Sequence, residues 1–214
     1  MKKEDGASRR DFLKLAGTTA PIAAVAVATE EAIADEAIRQ GLKNFSGVGR
    51  RFETHEIKVG EKHITLVDDY GHHPTEVAAA LSTARRQPHA RLIAVFQPHR
   101  YSRTARFLDG FARVLAAADV VVLTDIFAAG EMPIPGVTTT RLAETVRRHT
   151  NGVVHQVQTL DEIVSLVADL ARPGDLVLTM GAGSIGQVAG RLVEALEHKT
   201  GRGGHLDAKR PETP

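Results

Sequence analysis

Val67-Asp68-Asp69-Tyr70-Gly71-His72-His73-Pro74-Thr75-Glu76 joins an apolar run to an amphipathic one. The run before it ends at Val67, and Pro74 opens the segment Val77 to Ala84. Proline suits the first turn of a helix, because the N–H it lacks would be an orphan there. The stretch therefore reads as a strand end, a polar loop and a helix start. Two carboxylates, a phenol and two imidazoles in one turn are more polar chemistry than a turn needs. In an open α/β sheet, ligands sit beyond the carboxyl ends of strands. A plain turn with its helix capped by Thr75 is the alternative reading.

Upstream, Phe52 to Val59 alternates, Gly60-Glu61-Lys62 turns, and His63 to Val67 returns, which predicts a hairpin leading into the loop. Downstream, strands and helices alternate. Leu92–Phe96 and Val120–Leu123 are continuous apolar runs, as strands buried on both faces are. Asp175–Thr179 reads as a later strand and Val153-Val154 as the start of a short one. Helices are expected over Val77–Arg86, Arg103–Ala117, Arg141–His149, Leu160–Leu170 and Ile185–Glu197, with Phe107, Leu108, Phe111 and Leu115 at helical spacing. Asp125 to Thr140, with two prolines and two glycines, reads as a loop. Such alternation implies an α/β fold: a mostly parallel sheet covered on both faces, with the hairpin adding an antiparallel edge strand.

The chain has 214 residues, 43% of them hydrophobic, enough for one domain with tails. Lys+Arg 27 against Asp+Glu 26 leaves no basic excess for general nucleic-acid binding. The lack of cysteine excludes disulfides, thiolate zinc sites and thiol nucleophiles. No run approaches the roughly 18 to 20 apolar residues of a membrane helix. Residues 1–29 differ in character: Ser8-Arg9-Arg10-Asp11-Phe12-Leu13-Lys14 precedes a weakly apolar, alanine-rich run, the pattern of a twin-arginine export signal with cleavage near Ala28. A short basic helix is the alternative. Glu30 to Gly41 is expected to be helical, residues 30–198 to form the domain, and residues 199–214 a disordered tail.

A second polar strand end is Phe96-Gln97-Pro98-His99-Arg100-Tyr101-Ser102-Arg103. Arg100 and Arg103 lie about one helical turn apart and can clamp a carboxylate with forked hydrogen bonds. Cations oppose the dipole of a helix N-terminus unless an anion is bound there, which favours a functional role over solvated charge. Arg50-Arg51, after Gly47-Val48-Gly49, either reaches a phosphate or is linker charge. Gly181-Ala182-Gly183-Ser184-Ile185-Gly186 fits a dinucleotide fingerprint, but it sits on the last βα unit with no strand following, so a tight crossover explains it better. His72 and His73 with Asp68 and Asp69 make a weak metal candidate, because adjacent side chains diverge. Asp125 and Glu131 either line the same cleft or are loop residues.

Gly-Val-Gly-Arg-Arg-Phe (47–52), the opening stretch, Phe-Gln-Pro-His-Arg-Tyr-Ser-Arg-Thr (96–104), Ala-Gly-Glu-Met-Pro-Ile-Pro-Gly (129–136) and the glycine loop together closely resemble the Mur ligase family. The resemblance is to its UDP-N-acetylmuramate–L-alanine ligases, runs from about Ile33 to Leu196, and covers only their C-terminal, Rossmann-like domain. It implies ATP-dependent amide-bond formation in peptidoglycan biosynthesis. An acyl phosphate forms from the muramate carboxylate and ATP, with magnesium on the phosphates, and the amine of L-alanine attacks it. It further implies that Arg51 reaches the γ-phosphate and Asp69 accepts from the ATP ribose. Tyr70 and His72 would line the cleft near nucleotide and amino acid, and His99, Arg100 and Arg103 would hold L-alanine. Arg51 and His72 are then the candidate catalytic residues. The family's UDP-sugar and ATPase domains have no counterpart in these 214 residues, nor does its Gly-Lys-Thr/Ser phosphate loop or a set of metal ligands. The expectation is a domain inactive alone, cytoplasmic by the resemblance and periplasmic if the export signal works. The alternatives are an exported, non-catalytic binding module for amino acids or peptidoglycan peptides, and a nonfunctional fusion fragment.

Overall fold

The computed structural model describes residues 28–43, 49–59 and 62–203. The chain divides at Val48. Before that point lies helix α1, Asp35–Lys43, with Asp35 and Glu36 favourably placed in its first turn. The export-signal motif and the tail beyond Gly203 lie outside the described residues.

From Gly49 the strands are β1 (Glu53–Val59), β2 (Lys62–Asp69), β3 (Leu92–Phe96), β4 (Val120–Leu123), β5 (Val153–Gln156) and β6 (Leu176–Met180). Between and after them run α2 (Pro74–Arg85), α3 (Tyr101–Leu115), α4 (Thr139–Arg147), α5 (Leu160–Leu170) and α6 (Val188–Gly203). A 3₁₀ turn, Ser184–Gln187, precedes α6. One sheet results, ordered β1-β2-β6-β3-β4-β5. β1 pairs antiparallel with β2, and every other pairing is parallel. The expected α/β sheet with an antiparallel edge is the one found. The last helix runs to Gly203, past Lys199, where a disordered tail is expected; that expectation is corrected over Lys199–Gly203.

The topology follows from handedness. From β2 through β5 the chain moves in one direction across the sheet, so right-handed crossovers put α2, α3 and α4 on one face. The step from β5 back to β6 reverses direction and puts α5 on the other, joined there by α6. Two cores follow. Val77, Leu81, Phe111, Leu115, Leu142 and Val146 cover one face with Leu92, Ala94 and Phe96 of β3. Ile163, Val167, Val188, Leu192 and Leu196 cover the other with Ile93 and Val95. Alternate residues of one strand thus enter different cores, which is why the run carries no polar partner for either face. β6 lies between β2 and β3, so the carboxyl ends of all three strands meet at one edge of the sheet.

Candidate functional site

Asp68 and Asp69 end β2 and, as neighbours in a strand, face opposite sides. Asp68 is buried. It accepts 2.8 Å bonds from Arg50 Nε and from the Thr179 hydroxyl, and Arg50 also donates to the Gly181 carbonyl at 2.6 Å. Gly186 leaves room for this guanidinium, since a Cβ there would lie 2.7 Å from it. Asp69 accepts from the backbone N–H of Phe52 at 3.0 Å and of Gly71 at 2.7 Å. The Tyr70 N–H donates to the Arg50 carbonyl. Arg50 and Phe52 both adopt left-handed backbone, at φ 58° and 54°. Such strain persists only where the surroundings over-determine it, and here Asp68, Asp69 and Tyr70 do so. The two arginines therefore separate: Arg50 is a partly buried strut, while Arg51 is exposed, its guanidinium 5.5 Å from the Tyr70 ring centroid. Each Asp69 oxygen already holds one backbone N–H and keeps one lone pair for a ligand.

His72 and His73 diverge as adjacent residues must. The His73 ring caps α2 by accepting the Thr75 N–H, with Glu76 reciprocating on the His73 N–H. The cap is thus His73, not Thr75. Its ring packs edge-on to Phe107, which makes it structural. His72 Nδ1 lies 3.0 Å from the Tyr70 carbonyl and 3.2 Å from Glu76 Oε2. Both partners only accept, so Nδ1 carries the proton and Nε2 is left for other contacts. Partial burial pulls the Glu76 pKa up. The His72 N–H and ring, the His73 N–H and Arg51 outweigh it, and Glu76 ends below its ordinary value.

At the end of β3, Gln97 binds the glycine loop, accepting the Ile185 N–H and donating to the Ser184 hydroxyl. A Cβ on Gly183 would meet Gln97 and Phe127 at 2.6 Å, and one on Gly181, already at φ 142°, would meet the Gln97 carbonyl. The loop's glycines thus serve close approach of this chain to itself. His99 stacks on Phe127 at 5.6 Å and accepts from Arg103 Nη1 at 3.4 Å, which fixes its proton on Nε2. Burial first, then Arg103, His72 and Arg100, hold the His99 pKa below its ordinary value, so the ring is neutral at pH 7. Arg100 caps α3 with φ 72° and lies 3.6 Å from Glu131. Glu131 also accepts from the Ser102 N–H at 2.9 Å and hydroxyl at 2.6 Å. The anion that this helix start calls for is supplied within the chain.

A run of rings joins the two strand ends. Tyr70 meets His72 at 5.3 Å, and His72 meets His99 at 5.7 Å. Arg51, Tyr70, His72, His99 and Arg103 therefore form one contiguous group, with Arg100 at the same helix start. Asp69 stands apart, its carboxylate turned to the backbone. Phe127 and Gln97 were not singled out from sequence. A loop residue paired with His99 through one isolated parallel bridge leaves no periodic signal. Among the described residues no group of three or more His, Asp or Glu side chains could hold a metal ion. Among them too, no helix is long and apolar enough to cross a membrane.

Residues 50–183 match the family model of the Mur ligase glutamate ligase domain. The UDP-N-acetylmuramate–L-alanine ligase of Burkholderia mallei (strain SAVP1) is 47% identical over 181 residues, which is 83% of this chain and 39% of that protein. The chain thus spans about two fifths of the length of this relative. The fold is also similar to a UDP-N-acetylmuramate–alanine ligase of Thermotoga maritima, with TM-score 0.66, 24% identity, 84% of this chain and 37% of that one covered. A murein peptide ligase of Psychrobacter arcticus gives TM-score 0.55 and 25% identity over 74% of this chain and 32% of that one.

Proposed function

The chain belongs to the Mur ligase C-terminal domain family, and from that premise we propose that it is the amino-acid- and nucleotide-closing domain of a UDP-N-acetylmuramate–L-alanine ligase. The observation that carries this reading is the meeting of the two polar strand ends, Tyr70–His72 against His99–Arg103, with Arg51 beside them. ATP, when bound, supplies the phosphoryl group that activates the muramate carboxylate. The guanidiniums of Arg100 and Arg103 take the α-carboxylate of L-alanine, Arg103 with the neutral His99 ring against it. Charge on that side orients the amine away from the arginines, toward the acyl group. Arg51, exposed beside Tyr70, offers its charge to the γ-phosphate. Asp69 has a lone pair on each oxygen for the ribose, and Tyr70 and the His72 ring flank both ligands. The acyl donor and most of the phosphate contacts come from the ligase's other domains, so the chain alone does not turn over.

Calorimetric titration of the chain with L-alanine tests the amino-acid half. Binding is expected to weaken at least about tenfold in Arg100→Ala and in Arg103→Ala, the loss of a charge-assisted hydrogen bond. No binding by the wild-type chain would remove this half of the reading. Ligase turnover is expected only when the N-terminal part of a relative is supplied, and turnover without it would overturn the claim of dependence. A second reading, an exported binding module, is favoured by Arg9-Arg10 before Phe12-Leu13-Lys14. A reporter fused to residues 1–30 would then be exported, and Arg9→Lys with Arg10→Lys would abolish export. A reporter that stays in the cytoplasm rejects it.

A further inference from the structure

The loop between β4 and α4 makes three attachments to the start of α3. Phe127 and His99 form an isolated parallel bridge and stack their rings. The bridge consists of two 2.8 Å bonds, the Phe127 N–H donating to the Pro98 carbonyl and the Arg100 N–H to the Phe127 carbonyl. Glu131 closes on the Ser102 N–H and hydroxyl. These anchor bonds are short, whereas the guanidinium of Arg100 stands 3.6 Å from Glu131, close enough for charge attraction but outside hydrogen-bond range. Glu131 is therefore fixed by Ser102 and not by Arg100. Arg100, half exposed on a left-handed residue, has Glu131 as the ion-pair partner of its guanidinium. Without such a partner a long, half-exposed side chain samples many rotamers, and ordering it is an entropic cost that a ligand would have to meet.

We infer that Glu131 is a positioning residue: fixed by Ser102, it holds the Arg100 guanidinium at the mouth of the site, so that a carboxylate ligand meets an already aimed fork. Glu131 does not itself touch the ligand. This rests on the reading of Arg100 as a carboxylate-binding residue. The loop thereby sets Arg100 through Glu131 and, through Phe127, the His99 ring that lies against Arg103.

Two measurements on the full chain test it. The first needs no ligand. The Arg100 Nε–H signal is followed by ¹⁵N NMR in the wild type and in Glu131→Gln, which keeps an acceptor for the Ser102 N–H but loses the charge. Glu131→Gln is expected to release the Arg100 side chain to fast motion. The Arg91 Nε–H, bonded to Asp175, should not change and reports that the fold is intact. An Arg100 signal equally ordered in the variant overturns the proposal. The second is L-alanine titration of a double-mutant cycle. Glu131→Gln should weaken binding about tenfold, and in an Arg100→Ala background it should have no further effect. An equal loss in that background would mean that Glu131 contacts the ligand itself, which also overturns the inference. If the wild type binds no L-alanine, the functional reading fails, while the NMR measurement still decides what Glu131 does to Arg100.

Discussion

Arg50 and Arg51 are adjacent and chemically identical, yet their environments predict opposite mutant behaviour. Arg50 neutralises the buried Asp68. Arg50→Ala strands that carboxylate with Thr179 as its remaining side-chain partner, and a loss of about 3–5 kcal/mol of stability is expected. Asp68→Ala should cost less, because the partly exposed guanidinium left behind can be hydrated. Arg51→Ala lies on the exposed side and should change stability by no more than about 0.5 kcal/mol, while removing the proposed phosphate contact. Chemical denaturation of the three variants checks the order. Nothing in the pair Arg50-Arg51 could distinguish them in sequence, since the difference comes from Asp68, Thr179 and Gly181. His99 adds a pH dependence. Its folded pKa is depressed below the ordinary 6.5, so the folded chain binds fewer protons than the unfolded one in that range. Its contribution is complete above pH 6.5 and is lost as pH falls through the folded value. Glu76, Glu131 and Glu162, depressed from 4.5, act only in a lower window. Thermal melts should thus decline in two stages, and His99→Phe, which keeps a ring against Phe127, should remove the upper one.

At the scale of elements, local sequence was readable wherever the signal was local. The buried runs of β3 and β4 lie where they were expected, because an unbroken apolar run flanked by turns leaves few alternatives. Helix starts were less legible. α3 begins at Tyr101 rather than Arg103, since Arg100 takes a left-handed conformation that a pattern of apolar spacing does not report. At α2 an imidazole does the capping, and Thr75 lies inside the first turn. The capping boxes also separate stability from function. Thr159→Ala, which removes the acceptor for the Glu162 N–H at the start of α5, should cost about 1 kcal/mol and leave L-alanine binding alone. Gly183→Ala should do the reverse in emphasis. Its backbone is ordinary, but the new methyl would meet Phe127 and Gln97 at 2.6 Å. Phe127 is the partner able to yield toward solvent, and in yielding it leaves His99. Overpacking of this kind costs about 1–3 kcal/mol. The stronger expected effect is on L-alanine affinity, measured by titration at a temperature where the variant stays folded.

Across the whole molecule, the doubly wound sheet was legible from alternation alone, because each crossover is short and its handedness is fixed. The strand order was not. That β6 inserts between β2 and β3 depends on contacts between residues far apart in the chain, and no periodicity encodes them. The insertion has two consequences, one at each edge of the sheet. At the carboxyl edge it gathers Asp69, His99 and the glycine loop. At the opposite edge it brings Asp175, just before β6, against Arg91, just before β3. Arg91 donates to both Asp175 oxygens, at 3.1 and 2.6 Å, and to the Leu170 carbonyl at 2.9 Å. Asp175, fully buried, also accepts the Arg172 N–H. Its hydrogen bond first, and then its charge, raise the Arg91 pKa. The pair sits at the far ends of the two strands whose near ends carry the site, so it bears on folding without touching a ligand. Arg91→Ala leaves a buried carboxylate with one backbone donor, and a loss of about 3–5 kcal/mol is expected. Asp175→Ala leaves a guanidinium nearer to water and should cost less. In both variants L-alanine affinity, measured on the folded fraction at low temperature, should equal that of the wild type. A loss of affinity in step with stability would mean that the two edges of the sheet are coupled through β3 and β6, and that the carboxyl-edge site depends on register set at the other end.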